Sequence, residues 1–281
     1  MQYSRFEKFT MFVARHNRTT VIIFTCLLIA VIINLVRVSY SERMELESND
    51  FDEIQNLIDD IKNNDRDLYN KLDVVKVKKE VKGIDVSAWQ GDIDWEKVKD
   101  SGIDFVIIRC GLRSLANETM YEDSKFKYNI SEANRLDIPV GIYFYSTAIS
   151  EVEVLEEASY VLNLIKDYKV TYPIVYDFET FGSNRTKDIS DYKINKNALR
   201  FLDYIRGHGY YAMLYSNLTT LNNHWNLNYF NDYDIWLAQY IDKATYEGEY
   251  SMWQYADNGR VDGIKGNVDL DISYYAYEEK K

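Results

Sequence analysis

Two carboxylates close the run Tyr172-Pro173-Ile174-Val175-Tyr176-Asp177-Phe178-Glu179. Alternate residues of a strand point to one face, and each residue rises about 3.3 Å. Asp177 and Glu179 therefore share a face, roughly 6.6 Å apart along the backbone. Two acids in one site cannot both ionise freely, so one can hold its proton near neutral pH. A protonated acid beside an ionised one is the pairing that glycoside cleavage uses. An exposed acidic turn at a strand end would look the same, and the motif alone leaves both readings open.

Other acids and aromatics occur in similar settings. Asp85 interrupts the apolar stretch Gly83-Ile84-Asp85-Val86-Ser87. A buried lone carboxylate is costly, so it needs a partner or a task. Asp269 and Asp271 repeat the two-residue spacing near the C-terminus. Tyr143 and Tyr145 share one strand face, as do Trp253 and Tyr255, while Trp236, Gln239 and Tyr240 close another run. Taken singly, each aromatic reads as core. Gathered at strand ends beside acids, Tyr143, Tyr145, Tyr215, Trp236 and Trp253 become candidate sugar platforms, with Gln239 beside them.

The elements that must position these residues begin at Gly83. Strands are expected at Gly83–Trp89, Phe105–Gly111, Pro139–Ser146, Pro173–Glu179, Tyr211–Asn217, Asp234–Tyr240, Ser251–Ala256 and Val268–Tyr274. Near-continuous apolar runs fit strands buried on both faces. Helices fall between them at Trp95–Asp100, Asp123–Leu136, Glu151–Tyr168 and Lys193–Gly207, with Leu218–Phe230 as a fifth. That alternation implies parallel strands with helical crossovers. After Tyr240 the gaps are too short for full helices. The expectation is an α/β fold, an irregular (β/α) barrel of eight strands and about five helices. An open doubly wound sheet is the alternative, but it usually carries a Gly-rich phosphate turn after its first strand. Here that position reads Ser87-Ala88-Trp89-Gln90-Gly91-Asp92. In a barrel, chemistry collects where strands end.

Composition excludes several function classes. Aromatics make up 15% of the 281 residues, with 25 Tyr and 5 Trp, which suits a surface that stacks on flat ligands. Net charge is −12, a poor match to nucleic acid. Only His16, His208 and His224 are present, which disfavours a His-rich zinc site or a Ser-His-Asp triad. His208, between Gly207 and Gly209, fits a turn at a helix end. Cys26 and Cys110 lie far apart in sequence and provide no disulfide framework. No metal and no cofactor is expected.

The N-terminal residues read differently. Thr19–Val36 contains no charge over 18 residues, close to the length that spans a bilayer. Arg5, Lys8, Arg15 and Arg18 precede it, so the positive flank is expected to stay cytoplasmic. The resulting order is a basic tail (1–18), a transmembrane signal anchor (19–36), a charged stalk (37–81) and an outer barrel domain (82–277). This makes a single-pass protein of the cell membrane with its barrel outside and residues 19–36 in the lipid bilayer. A cleaved signal peptide competes, but the apolar run is long and no A-x-A-like site follows. Within the stalk, Phe51, Ile54, Ile58, Ile61, Leu68, Leu72 and Val75 recur at 3–4 spacing. An amphipathic helix or a dimerising coiled coil fits that pattern, and so does a charged linker.

Taken together, the motifs resemble those of the glycoside hydrolase family 25 muramidases, the cell-wall lysozymes. The residues that carry the likeness are Gly83-Ile84-Asp85-Val86-Ser87 with Trp89-Gln90-Gly91, Asp94-Trp95, and Phe105-Val106-Ile107-Ile108-Arg109. They continue with Pro139-Val140-Gly141-Ile142-Tyr143-Phe144-Tyr145 and Tyr176-Asp177-Phe178-Glu179. The tail adds Ile235-Trp236-Leu237-Ala238-Gln239-Tyr240, Trp253-Gln254-Tyr255 and Val268-Asp269-Leu270-Asp271. The resemblance runs from about Lys82 to Tyr275. It implies cleavage of the β-1,4 bond between N-acetylmuramic acid and N-acetylglucosamine, with peptidoglycan strands as partner. It also implies Glu179 as general acid, Asp177 as charge stabiliser or acetamide helper, and Asp85 and Asp269 as further acids of the site. The family's last strand often reads Asp-x-Asn where this chain has Asp269-Leu270-Asp271. A non-catalytic glycan-binding or scaffold protein on the same fold is the main alternative. A metal-dependent hydrolase is a further one.

Overall fold

A computed structural model describes residues 74–181 and 184–280. All of the described residues fall in one compact unit. The expected membrane anchor (19–36) and the stalk up to residue 73 lie outside the described residues. Among the described residues, no helix is long and apolar enough to cross a membrane.

Among the described residues, nine strands appear in chain order: β1 (Val74–Val86), β2 (Phe105–Arg113), β3 (Met120–Glu122), β4 (Val140–Tyr145), β5 (Ile174–Asp177), β6 (Ala212–Asn217), β7 (Asp234–Ala238), β8 (Met252–Gly259) and β9 (Val268–Glu279). Five α-helices of the described residues interleave with them: α1 (Trp95–Asp100), α2 (Phe126–Arg135), α3 (Glu151–Ile165), α4 (Asp191–Gly207) and α5 (Leu218–Asn223). Side chains of Asp94, Ser150, Ser190 and Asn217 cap the N-termini of α1, α3, α4 and α5, accepting from backbone N–H groups that have no intrahelical partner.

β1 pairs with both β2 and β9, and this closes the sheet into a barrel of eight strands. Closure rules out the open doubly wound sheet. β3 has no counterpart among the expected strands; it pairs with the end of β2 at Gly111–Arg113, past the point where β1 stops. The strands from β1 through β2 and β4 to β8 are parallel. β9 runs antiparallel to both neighbours, a reversal the strand–helix alternation does not reveal. Only eight residues separate Gly259 from Val268, too few for the crossover a parallel partner needs. Gly263 and Gly266, both at positive φ, turn that connection.

β1 also begins at Val74 rather than Gly83, so residues 74–81 of the expected stalk belong to the sheet. Val74–Lys78 pairs with Tyr275–Glu279, and an irregularity separates this ribbon from the barrel register at Val81. The ribbon crosses beneath the barrel. Tyr277, 2% exposed, packs against Tyr172 and Tyr211 and donates to Asp234 at 2.9 Å.

Strand alternation sorts the apolar residues into two cores. Val81, Phe105, Ile107, Val175, Met213, Trp236 and Met252 fill the barrel interior. Ile84, Val86, Ile108, Ile142, Ile174, Leu214, Leu237 and Trp253 face outwards and bury against the helices. The interior is therefore packed at its floor, and its polar residues collect above that packing.

Candidate active site

The inward positions that follow the interior core are polar. Asp85 lies at the upper end of β1, and Asp177 is the last residue of β5. Phe178, 1% exposed, is held outwards against Phe181 with ring centroids 5.0 Å apart. The next residue, Glu179, consequently turns back to the mouth, where it is exposed. β9 starts at this rim because it is reversed, so Asp269 pairs directly with Asp85 in the antiparallel register. The reversal brings to the mouth an acid that would lie at the floor of an all-parallel barrel.

These four acids feel one another's charge. Burial, then repulsion from Glu179 and Asp85, holds the Asp177 carboxyl well above its ordinary range. Asp177 Oδ1 is buried and meets no hydrogen-bond donor among the described residues, so ionising that carboxyl is costly. Glu179 is raised too, by partial desolvation of its carboxyl although its side chain reaches solvent. Asp269 is pushed up to about 6, by burial first and then by Asp257. Asp85, 5% exposed, is raised by burial and by Asp269.

A hydrogen-bond network fixes Asp85. Gln254 Nε2 donates to Asp85 Oδ2 at 2.7 Å. The Gln254 amide oxygen accepts from the Tyr215 hydroxyl at 2.9 Å and the Tyr240 hydroxyl at 3.0 Å. Trp236 Nε1 donates to Asp271 Oδ1 at 3.0 Å. A cation also bears on the site. Arg109 lies on the inward face of β2 and is held by Asp123, with Nε to Oδ2 at 2.8 Å and Nη2 to the same oxygen at 2.7 Å. Its charge lowers the cost of ionising Asp177.

The expected contact residues divide by location. Tyr143 and Tyr145 are half-buried in the field of Asp177, and Tyr145 also lies in that of Glu179. Tyr215 and Trp236 are buried supports of the acids rather than exposed platforms, at 8% and 2% exposure. Gln239 faces away from the acids: its side chain holds Thr245, donating at 2.7 Å and accepting at 2.9 Å. Trp253 is not brought to the acids. It lies in the outer core, donating to the Gln239 carbonyl at 2.8 Å. Sequence reasoning assigned no role to Gln254, Arg109 or Tyr240. The available signal was a polar residue at an inward position of an otherwise apolar strand.

A cleft of about 620 Å³ opens at the opposite end of the barrel, lined by Lys76, Arg206, Tyr211, Tyr233, Asp234 and Tyr275. None of the mouth acids lines it. Among the described residues, no group of three or more His, Cys, Asp or Glu side chains is arranged to hold a metal ion.

The family model for glycosyl hydrolases family 25 matches residues 84–264, which takes in β1 from Ile84 and every strand to β8. The chain belongs to glycosyl hydrolases family 25. An autolytic lysozyme of Clostridium acetobutylicum is 30% identical over 194 residues, 68% of this chain and 55% of that protein. The modular autolysin LytC of Streptococcus pneumoniae has the same fold, with a TM-score of 0.62 at 30% identity over 70% of this chain and 47% of that one. A second LytC structure, in complex with a synthetic peptidoglycan ligand, matches with a TM-score of 0.60 at 29% identity over the same shares. The chain thus spans about half the length of these relatives, and the likeness covers the family 25 barrel.

Proposed function

We propose that this family 25 barrel hydrolyses peptidoglycan at the β-1,4 bond between N-acetylmuramic acid and N-acetylglucosamine. The observation that carries the reading is the convergence of Asp85, Asp177, Glu179 and Asp269 at one mouth, where burial raises every one of these carboxyls. The relative named as an autolytic lysozyme and the LytC complex with a peptidoglycan ligand support the choice of substrate.

In this reading Glu179 gives the proton to the leaving glycosidic oxygen, because it is the exposed member of the pair. The bond from that oxygen to the sugar carbon breaks as the proton is delivered; water then adds its oxygen to the carbon and returns a proton to the acids. Asp177, buried behind Glu179, manages the positive charge that develops at the sugar or orients its acetamide. Asp85 helps hold a proton on the pair by repelling charge on Asp177. Tyr143, Tyr145 and the half-exposed Tyr240 edge offer ring faces and hydroxyls to the glycan. Glu179→Gln is expected to lower the release of reducing ends from purified wall by about 10²–10⁴-fold while circular dichroism stays unchanged. Full activity in that variant would remove Glu179 from the role.

We also propose that residues 19–36 anchor the protein in the cell membrane with the barrel outside. The support is the uncharged 18-residue run and the basic residues before it. Fractionated cells should carry the protein in the membrane pellet, with the barrel open to protease added outside. Recovery in the soluble fraction would overturn the anchor without touching the chemistry.

A further inference from the structure

Asp271 stands one inward position below Asp269 on β9 and is 1% exposed. Its cross-strand partner on β1 is Gly83, which contributes no polar group, and the Phe105 ring fills the position where a side chain would stand. One Asp271 oxygen, Oδ1, accepts from Trp236 Nε1. The other, Oδ2, is fully buried and meets no donor among the described residues. The groups that act on it are Asp85 from β1, Asp269 from its own strand and the indole N–H of Trp236 from β7, while Tyr255 on β8 feels its charge. Among the described residues, no lysine or arginine forms an ion pair with it; the site's cation, Arg109, is committed to Asp123.

Suppose Asp271 were ionised. Two buried carboxylates, Asp271 and Asp85, would then touch, and one oxygen would lack any donor. Both conditions are costly. Gln254, opposite Asp271 in the strand register, does not relieve them: one of its N–H groups serves Asp85, and neither reaches Asp271 Oδ2. A proton on Oδ2 removes both problems at once. The O–H then donates to Asp85, and Oδ1 still accepts from Trp236.

We infer that Asp271 is a permanently neutral acid whose O–H donates to Asp85 and so keeps the negative charge of the Asp271–Asp85–Asp269 row at its mouth end. Asp271 is thus a positioning residue that acts through Asp85 and never meets the glycan. Burial, followed by the charges of Asp85 and Asp269, pushes its carboxyl far upwards, in agreement with this geometry. The functional consequence rests on the reading of the mouth acids given above; the protonation state does not.

The test pairs two variants of the full chain. Asp271→Leu removes both the donor and the acceptor. It should lower wall hydrolysis by about 10- to 100-fold, the size of a lost hydrogen bond to a charged group. Asp271→Asn offers an N–H₂ to Asp85 and a carbonyl to Trp236 without a titrating proton, and should restore most of that loss. Its stability carries the second readout. An acid whose folded pKa is raised contributes stability below its unfolded value, near 4, and loses it as pH rises towards the folded value. The melting temperature of Asp271→Asn should therefore match wild type near pH 4 and gain on it by about 3–5 °C for each pH unit climbed. Difference infrared spectra should show one buried protonated carboxyl missing from Asp271→Asn. A melting-temperature difference that stays flat with pH, or an unchanged carboxyl band, overturns the inference. So does an Asp271→Asn variant as inactive as Asp271→Leu. If wild type releases no sugar from wall, the proposed reaction fails, while the melting and infrared results still decide the protonation of Asp271.

Discussion

Gln254 shows how one residue sets the chemistry of several. Its amide oxygen is saturated by Tyr215 and Tyr240, so only its N–H₂ can face Asp85. Gln254→Leu would strand a buried carboxyl oxygen and release two hydroxyls. We expect a loss of about 1–3 kcal/mol in urea unfolding together with reduced wall hydrolysis. A variant with unchanged stability would mean that water replaces the amide. The sequence makes part of this site legible. Asp177 and Glu179 stand out because a strand repeats every two residues, and Asp85 because an acid rarely interrupts an apolar strand. Gln254 was harder to see: a glutamine beside Trp253 looks like a polar neighbour of a ligand platform. The same period of two sends the neighbours to opposite faces, so Gln254 enters the barrel and Trp253 joins the outer core. Which face is inward depends on pairing with distant strands, and local sequence does not contain that information.

At the scale of elements, short connections reveal where helices are missing but not how the next strand is directed. The eight-residue link before β9 makes a hairpin, and the hairpin places Asp269 beside Asp85. β1 was legible from Gly83 onwards because Ile84 and Val86 make a buried apolar face around Asp85. Its first half, Val74–Lys82, alternates lysine with valine and glutamate, and that pattern passes equally for a stalk. Only the partner strand, Tyr275–Glu279, decides the matter. The contact of β1 with β2 is tight at Gly83, where an added Cβ would lie 2.3 Å from Phe105 Cζ. Gly83→Ala should overpack this crossing and cost about 1–3 kcal/mol, measured as a lower denaturation midpoint with the circular dichroism spectrum retained. No change in midpoint would show that Phe105 has room to move.

For the whole molecule, the raised carboxyls act together. Asp85, Asp177, Glu179, Asp269 and Asp271 are all held above their ordinary values, and burial pushes Glu157, paired with Arg113 at 2.7 Å, up to about 7. Each contributes stability below about pH 4 that is lost as pH rises through its folded value, about 6 for Asp269 and about 7 for Glu157. Asp92, Asp94 and Glu132 are lowered and act in the opposite sense, but they are solvent-exposed partners whose pairs contribute little. Calorimetry should therefore find the melting temperature falling between about pH 4.5 and pH 8. A rise over that window would mean that the acids are not held as described. The ribbon of β1 and β9 has a different kind of consequence. The chain enters the barrel at Val74, beneath the floor that Tyr277 closes, while the acids open at the far end. Tension between residues upstream of Val74 and a glycan gripped at the mouth would run along the strands. Hydrogen bonds perpendicular to an antiparallel pair are then loaded in shear, all together, instead of being unzipped one at a time. A barrel loaded in that way would resist end-to-end tension better than one peeled from a sheet edge.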